Sequence, residues 1–341
     1  MSEPTGQVET GLPVMPATEP TAADPGVPRR TARGLLVRSL GIGMFLVVVI
    51  VYFTLRSSSF LTLSNIADIL SGVAVLGIVS LGQSGVIVAG GFDLSVAGVL
   101  PLACVLFVKF SNDGSSLPVA LIETVVIGAA IGVINALLIV RAGINPLIVT
   151  LASMSVAGGA AYSISGGVDI AMNNVANGDL ANLAVGSLPW YFFAFLALAI
   201  VAAVIMRFTV FGRIIYAIGG SREASVLAGI RVSVATTAVY AISGALAAFA
   251  GVVTASQILS GSAGVGSTTA LTSVAAVVLG GAALSGGSGG IIGTIGGVLV
   301  LGCLSNGLAL LQVQSFYVQI ITGIALIIAV LFSRLSQVLS R

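Results

Sequence analysis

Histidine is absent from this chain, cysteine occurs twice, and charged residues of both signs make up only 7% of it. Each scarcity excludes something. Without histidine, neither an imidazole base nor a histidine-ligated metal can exist. The one lysine, Lys109, stands in the context FVKF, so there is no GxxxxGK[ST] phosphate loop and no ATP hydrolysis by that route. Cys104 and Cys303 both fall in apolar runs, where cysteine behaves as a small hydrophobe, so neither a disulfide framework nor a metal cluster is in prospect. No span pairs two carboxylates, and no Ser-Lys or Cys-His pairing presents itself, which leaves an intramembrane enzyme poorly supported.

What is present is apolar. Hydrophobic residues make up 57% of the 341 and the mean hydropathy is +1.17, whereas a soluble domain carries about 25% charged residues. The expected class is an all-α polytopic integral membrane protein, long enough for about ten spans of roughly 20 residues. Apolar runs fall near 37–55, 63–82, 84–108, 118–140, 144–163 and 188–206. Residues 232–333 then carry not one charged side chain, and polar or glycine-rich stretches divide them into spans near 233–255, 270–284, 291–311 and 316–333. Residues 1–34, rich in Pro, Thr, Ala and Glu and without apolar periodicity, read as a disordered cytoplasmic tail rather than a signal peptide. Residues 35–335 read as a single transmembrane domain.

Charge asymmetry sets the orientation. With the N-terminus inside, Arg29, Arg30, Arg33, Arg38, Arg141, Arg207, Arg213, Arg222, Arg231, Arg334 and Arg341 are all cytoplasmic, and only Arg56 and Lys109 stay outside. Basic residues stay on the cytoplasmic side in short loops, so both termini are expected inside. The longest outer loop, 164–187, is turn-rich, and an ordinary exposed loop and a docking surface fit it equally.

The stretch GQSGVIVAGGFDLSVAGVL, from Gly82 to Leu100, places a carboxylate, Asp93, deep in an apolar run. Asp at a bilayer centre costs roughly 2.5–3.5 kcal/mol on insertion scales. Gly90-Gly91 can break the helix, with Asp93 as N-cap of a second half starting near Leu94 and accepting the N–H of Ser95 or Val96. A satisfied cap in a packed bundle and a wall of a solvated path both fit. A second glycine-rich break follows Gly280. Spans three and eight run in opposite directions, as inverted repeats with interrupted helices would, although abundant glycine also marks close helix packing in lipid.

The cytoplasmic loop 207–232 contains FGRIIYAIGGSREASVLAGIRV (Phe211–Val232). Ser221 can cap a short helix with Glu223 in its first turn and Gly229 closing it, leaving Ala224, Leu227 and Ala228 on one face. That is more than a connection needs. An amphipathic helix on lipid headgroups is the other reading.

GGFDLSVAG (Gly90–Gly98), NPLIVTLASMSVAGG (Asn145–Gly159), FGRIIYAIGGSREASVLAGI (Phe211–Ile230), AAVVLGGAALSGGSGGIIGTIGGVL (Ala275–Leu299) and NGLALL (Asn306–Leu311), in that order, resemble the permease subunits of bacterial ABC importers for simple sugars of the ribose, xylose and galactose type. The resemblance covers roughly residues 40–335. It implies a ten-helix permease in the cytoplasmic membrane, a homodimer or pseudo-dimer. Its implied partners are a periplasmic or lipid-anchored solute-binding protein and a cytoplasmic ATPase pair. ATP would be bound by that partner, so no cofactor is expected in this chain and nucleic acid has no part. Residues 221–229 then correspond to a coupling helix, with Glu223, Ala224 and Gly229 matching the EA…G pattern, Ser221 capping, Arg222 and Glu223 at the rim of an ATPase groove and Leu227 filling it. Phe92 and Ala97 stand where the family usually has Ile and Gly, and Ala270 and Thr272 where it usually has acidic residues, which puts the particular sugar in doubt.

The solute is expected to be neutral and hydroxylated, with Asp93, Ser95, Asn145 and Asn306 as candidates for its path. Permeases of the same superfamily for branched-chain amino acids or nucleosides are the neighbouring reading. An ion-coupled secondary transporter would also use broken helices and a midplane Asp, but would have no use for a coupling helix.

Overall fold

A computed structural model describes residues 32–174, 183–185 and 188–314, with 316–318, 320–321, 323–324 and 327 beyond them. The chain is helical: α1 (Ala32–Arg56), α2 (Leu63–Val88), α3 (Val96–Asn112), α4 (Leu117–Val140), α5 (Pro146–Ser165), α6 (Trp190–Phe208), α7 (Val210–Gly220), α8 (Arg222–Leu227), α9 (Val232–Ile258), α10 (Thr269–Leu279) and α11 (Ile291–Leu310). Two short antiparallel pairings join the loops. β1 (Ile170–Ala171) pairs with β4 (Ser260–Gly261), and β2 (Ala184–Val185) with β3 (Leu188–Pro189).

Local chemistry sets the helix ends. Thr62 Oγ1 accepts the Asn65 N–H at the start of α2. Asn145 Oδ1 does the same for Leu147 at α5, where Pro146 fills the first turn and loses no bond by lacking an N–H. Among the described residues, α2, α4, α5, α6, α9 and α11 are each long and apolar enough to cross a membrane, while α3 and α10 are shorter. The tail expected over 1–34 and the tenth span expected over 316–333 lie largely outside the described residues.

The hub is α2 and α9. Some 72% and 61% of their apolar stretches are buried, against 22% for α4, α5 and α6, which therefore form the periphery. With little hydrophobic driving force between helices in lipid, close backbone approach has to hold them together. A methyl group on Gly132 of α4 would lie 2.1 Å from the Tyr240 carbonyl oxygen, and one on Gly244 of α9 would lie 2.1 Å from that of Gly128. The same device joins α10 to α11 through Gly280, Gly293 and Gly297.

The boundary expected between spans two and three is displaced. The sequence divides the two spans at Gln83, yet α2 runs through it to Val88, and Gly82, Gln83 and Ser84 are all buried. A methyl on Gly82 would meet the Ser243 backbone of α9 at 2.9 Å, and the Thr294 hydroxyl of α11 donates to Ser84 Oγ at 3.3 Å, so this stretch packs against two helices. The true interruption is 89–95. The helix after it starts at Val96, not Leu94, so its N-cap is Ser95, and Asp93, two positions before that residue, accepts the Ser95 N–H rather than capping the helix. Likewise α10 stops at Leu279, short of the expected 284, and residues 280–290 are non-helical.

Candidate transport site

Asp93 is fully buried, and everything bonded to it donates. Its Oδ1 accepts the Ser95 N–H at 3.1 Å and the Ser95 hydroxyl at 2.5 Å, and its Oδ2 accepts the Ser243 hydroxyl at 2.7 Å. The network continues outward. Asn135 Nδ2 of α4 donates to Ser95 Oγ at 3.0 Å, and Ser153 of α5 donates to Asn135 Oδ1. One carboxylate thus ties the start of α3 to α9 directly, and to α4 and α5 through Ser95 and Asn135. Bonds to a charged acceptor are worth about 1.5–3 kcal/mol each, and a buried carboxylate without them would be costly.

Its depth follows from the helix geometry. Ser243 stands eleven residues into α9, about 16 Å from that helix's start at 1.5 Å per residue. Gly82 packs on the same Ser243, so α2 continues some 9 Å beyond the level of Asp93 before ending at Val88. The chain then turns at Gly90, whose φ of +83° is a left-handed conformation open to glycine, and climbs back without helix to Asp93. Non-helical backbone at such depth must find partners within the protein. Gly90 N–H donates to Ile87 O and Gly91 N–H to Val86 O, both at 2.9 Å, and Tyr240 of α9 donates its hydroxyl to Phe92 O at 3.0 Å.

The second interruption meets the first. Gly287 N–H donates to Val88 O at 2.9 Å. A methyl on Gly286 would lie 2.8 Å from Gly90 Cα and 2.9 Å from Gly219 O, and one on Gly219 would lie 1.8 Å from Val88 O and 2.4 Å from Gly287 N. Three segments remote in sequence, the end of α2, the end of α7 and the 280–290 loop, therefore touch backbone to backbone. Tyr216 of α7 adds a hydrogen bond to Gly289 O at 2.9 Å.

From this junction the chain passes into α8. Ser221 Oγ accepts the Ala224 N–H at 3.2 Å, and Glu223 lies in the first turn. Ile230 N–H reaches back to Ser225 O and Gly229 N–H to Val226 O, each at 3.0 Å, while Gly229 takes φ +78°. This is a Schellman closure that leaves few carbonyls unpaired. Ser225 faces inward. Arg222, Glu223, Ala224, Leu227 and Ala228 are exposed, Leu227 by 89%. An apolar side chain so exposed on a capped helix forms a raised contact point.

The residues expected along a solute path are not together. Asp93 and Ser95 are bonded neighbours; Asn145 is exposed at the start of α5; Asn306 lies near the end of α11, in the wall of a cavity of about 610 Å³. Sequence reasoning missed Asn135, Ser153, Ser243 and Tyr240. An amide inside the apolar run of α4 was a readable signal for Asn135. Nothing distinguishes Ser243 or Tyr240 from other small or aromatic residues in a charge-free span.

Comparison with known proteins places the sequence among membrane permeases. Residues 65–330 match the family model described as branched-chain amino acid transport system / permease component. The ribose import permease protein of Bacillus subtilis is 37% identical over 301 residues, covering 86% of this chain and 91% of that protein. The L-arabinose ABC transporter permease protein of Azospirillum brasilense is 32% identical over 319 residues, covering 93% and 94%. The galactose/methyl galactoside import permease protein of Escherichia coli is 34% identical over 313 residues, covering 85% and 92%. No solved structure shows a significant match. With a family match across most of its length and relatives above 30% identity along nearly all of theirs, the chain belongs to the branched-chain amino acid transport system / permease component family of membrane permeases.

Proposed function

We propose that this chain is the membrane permease of an ATP-binding-cassette importer that carries a monosaccharide or related polyol inward, with hydrolysis performed by a separate cytoplasmic ATPase. The observation that carries the reading is α8: capped by Ser221, closed by Gly229, presenting Leu227 outward and following directly on the Gly219 junction. Seated in an ATPase groove, α8 would be pushed or turned by nucleotide-driven movement. Because Gly219 and Gly287 both press on Val88, α7 could not shift without carrying the two interrupted segments along. Asp93, with its partners on α3 and α9, would keep the 89–95 segment from melting as this happens.

The substrate class rests on the relatives, named for ribose, arabinose and galactose, and on the scarcity of buried charge to pair with a charged solute. Ten spans with both termini cytoplasmic, an inverted relation between the two interrupted segments, a homodimer or pseudo-dimer and delivery by a secreted binding protein complete the proposal. Within it, α8 faces the cytoplasm and Ser221, Arg222, Glu223, Ala224, Leu227 and Gly229 form the ATPase contact. Asp93 and Ser95 hold the path's inner half, Asn306 its outer mouth and Asn145 its inner exit.

The family's printed description favours one second reading, branched-chain amino acids. Thermal-shift screening of the binding protein encoded with this permease decides between them. Stabilisation by ribose, arabinose or galactose supports the sugar reading; stabilisation by leucine or valine alone replaces it.

A further inference from the structure

The 610 Å³ cavity that includes Asn306 lies between α2, α10 and α11, with Val318 and Gly323 completing its wall, at the end of the bundle opposite the glycine junction. Asp68 is five residues into α2, Thr269 opens α10, and Asn306 is four residues from the end of α11, so these three positions share one end. The far ends of the same helices carry Val88, Gly280 and Gly290, at and beside the junction. A single set of rods therefore connects the cavity to the base of α8.

The lining is mixed. Asp68 is exposed, Thr269, Thr272 and Asn306 are half-buried, and Ile69, Val75, Leu76, Ala275 and Leu301 give the wall its apolar part. Asn306 Oδ1 is buried and has no hydrogen-bond donor among the described residues. A buried amide oxygen without a donor is costly, about 1–3 kcal/mol. The volume falls within the range of about 300–1,000 Å³ typical of small-molecule sites, which combine mostly apolar walls with a few placed polar groups. Gly72 shows where the space is, since a methyl group built on it would meet no atom within 4 Å.

We infer that this cavity is the receiving site for the solute on the outer side: a pocket for a neutral polyhydroxylated molecule, whose hydroxyls donate to Asn306 Oδ1 and the Asp68 carboxylate while a carbon face rests on the apolar part of the wall. The inference deepens the sugar-permease reading and rests on it. Two features would make the site responsive: three of its walls are helices that end at the junction, and a solute hydroxyl would satisfy an oxygen that has no donor among the described residues.

The test uses the assembled importer, this chain with its ATPase and binding protein, in proteoliposomes, with radiolabelled ribose, arabinose and galactose as probes. Gly72→Val adds bulk where a built Cβ meets no atom within 4 Å, and Asn306→Leu removes the oxygen that has no donor among the described residues. Both variants should purify with the ATPase at wild-type yield and melting temperature, yet take up the wild type's sugar at least tenfold more slowly. Gly72→Cys should react with an impermeant thiol reagent added outside, and the sugar-loaded binding protein should slow that reaction. Wild-type uptake rates in both Gly72→Val and Asn306→Leu would overturn the inference and leave the sugar reading standing. A wild-type importer that moves none of the three sugars would overturn the reading and the inference together.

Discussion

Gly219 of α7 and Val88 of α2 are packed so closely that a single methyl on Gly219 would stand 1.8 Å from the Val88 carbonyl oxygen, an oxygen that already accepts the Gly287 N–H. No side chain can give way there, because both partners are backbone. Gly219→Ala should therefore spread the junction, costing about 1–3 kcal/mol or more and abolishing ATP-driven uptake. The neighbour supplies the control. A methyl on Gly220 meets nothing within 4 Å and lies in a helix, so Gly220→Ala should keep uptake and raise stability by up to about 1 kcal/mol. Equal behaviour of the two variants would show that the close contact has no role.

Two tyrosines hold the interruptions from the helices that flank α8: Tyr216 bonds to Gly289 O and Tyr240 to Phe92 O. Tyr216→Phe and Tyr240→Phe remove one hydroxyl each and add no bulk. Each should cost about 1 kcal/mol in stability, seen as a small drop in melting temperature. The double variant should lower the number of sugars moved per ATP hydrolysed, with hydrolysis itself retained. An unchanged stoichiometry would confine both bonds to a structural role.

Asp93→Asn tests the charge separately from the hydrogen bonds that Asp93 accepts. The amide oxygen can still accept from Ser95, and the amide N–H₂ can donate to Ser243 Oγ, because a hydroxyl can act as donor or acceptor. Expression and folding should be near normal while uptake falls. Ser243→Ala does the opposite: it leaves Oδ2 short of a donor, and a loss of about 1.5–3 kcal/mol should appear in the melting temperature. Full uptake by Asp93→Asn would reduce the carboxylate to a replaceable hydrogen-bond acceptor.

Leu227, the last residue of α8, presents 89% of its surface to the outside. An apolar anchor of this kind typically carries 2 kcal/mol or more of an interface. Leu227→Asp should weaken recovery of the ATPase with the permease by at least tenfold, and leave membrane insertion intact because the side chain packs on nothing in the bundle. Undiminished co-purification would place the ATPase contact elsewhere.

How much of this was readable beforehand depended on what each residue does locally. The ends of α8 were legible because capping is written in a few neighbouring residues: Ser221, Glu223 and Gly229 do in three dimensions what their spacing announces. The importance of Asp93 was legible because a lone carboxylate in an apolar run is expensive. Its partners were not, since Ser243 lies 150 positions away and sequence periodicity carries no record of which helix faces which. The division of two spans at Gln83 failed for the same reason. Glycine that ends a helix and glycine that admits a neighbouring backbone look alike until that neighbour is in place. The meeting of Gly90, Gly219 and Gly286 required all three segments at once.

The central claim is that energy reaches this permease from outside through α8, and one measurement addresses it directly. Proteoliposomes containing the permease alone, and others also containing the ATPase with ATP, are supplied with the sugar-loaded binding protein and tested with and without a proton or sodium gradient. The account predicts accumulation only where ATPase and ATP are present, unaffected by dissipating the gradients. Accumulation by the permease alone, driven by an ion gradient, would contradict it and make the chain a secondary transporter.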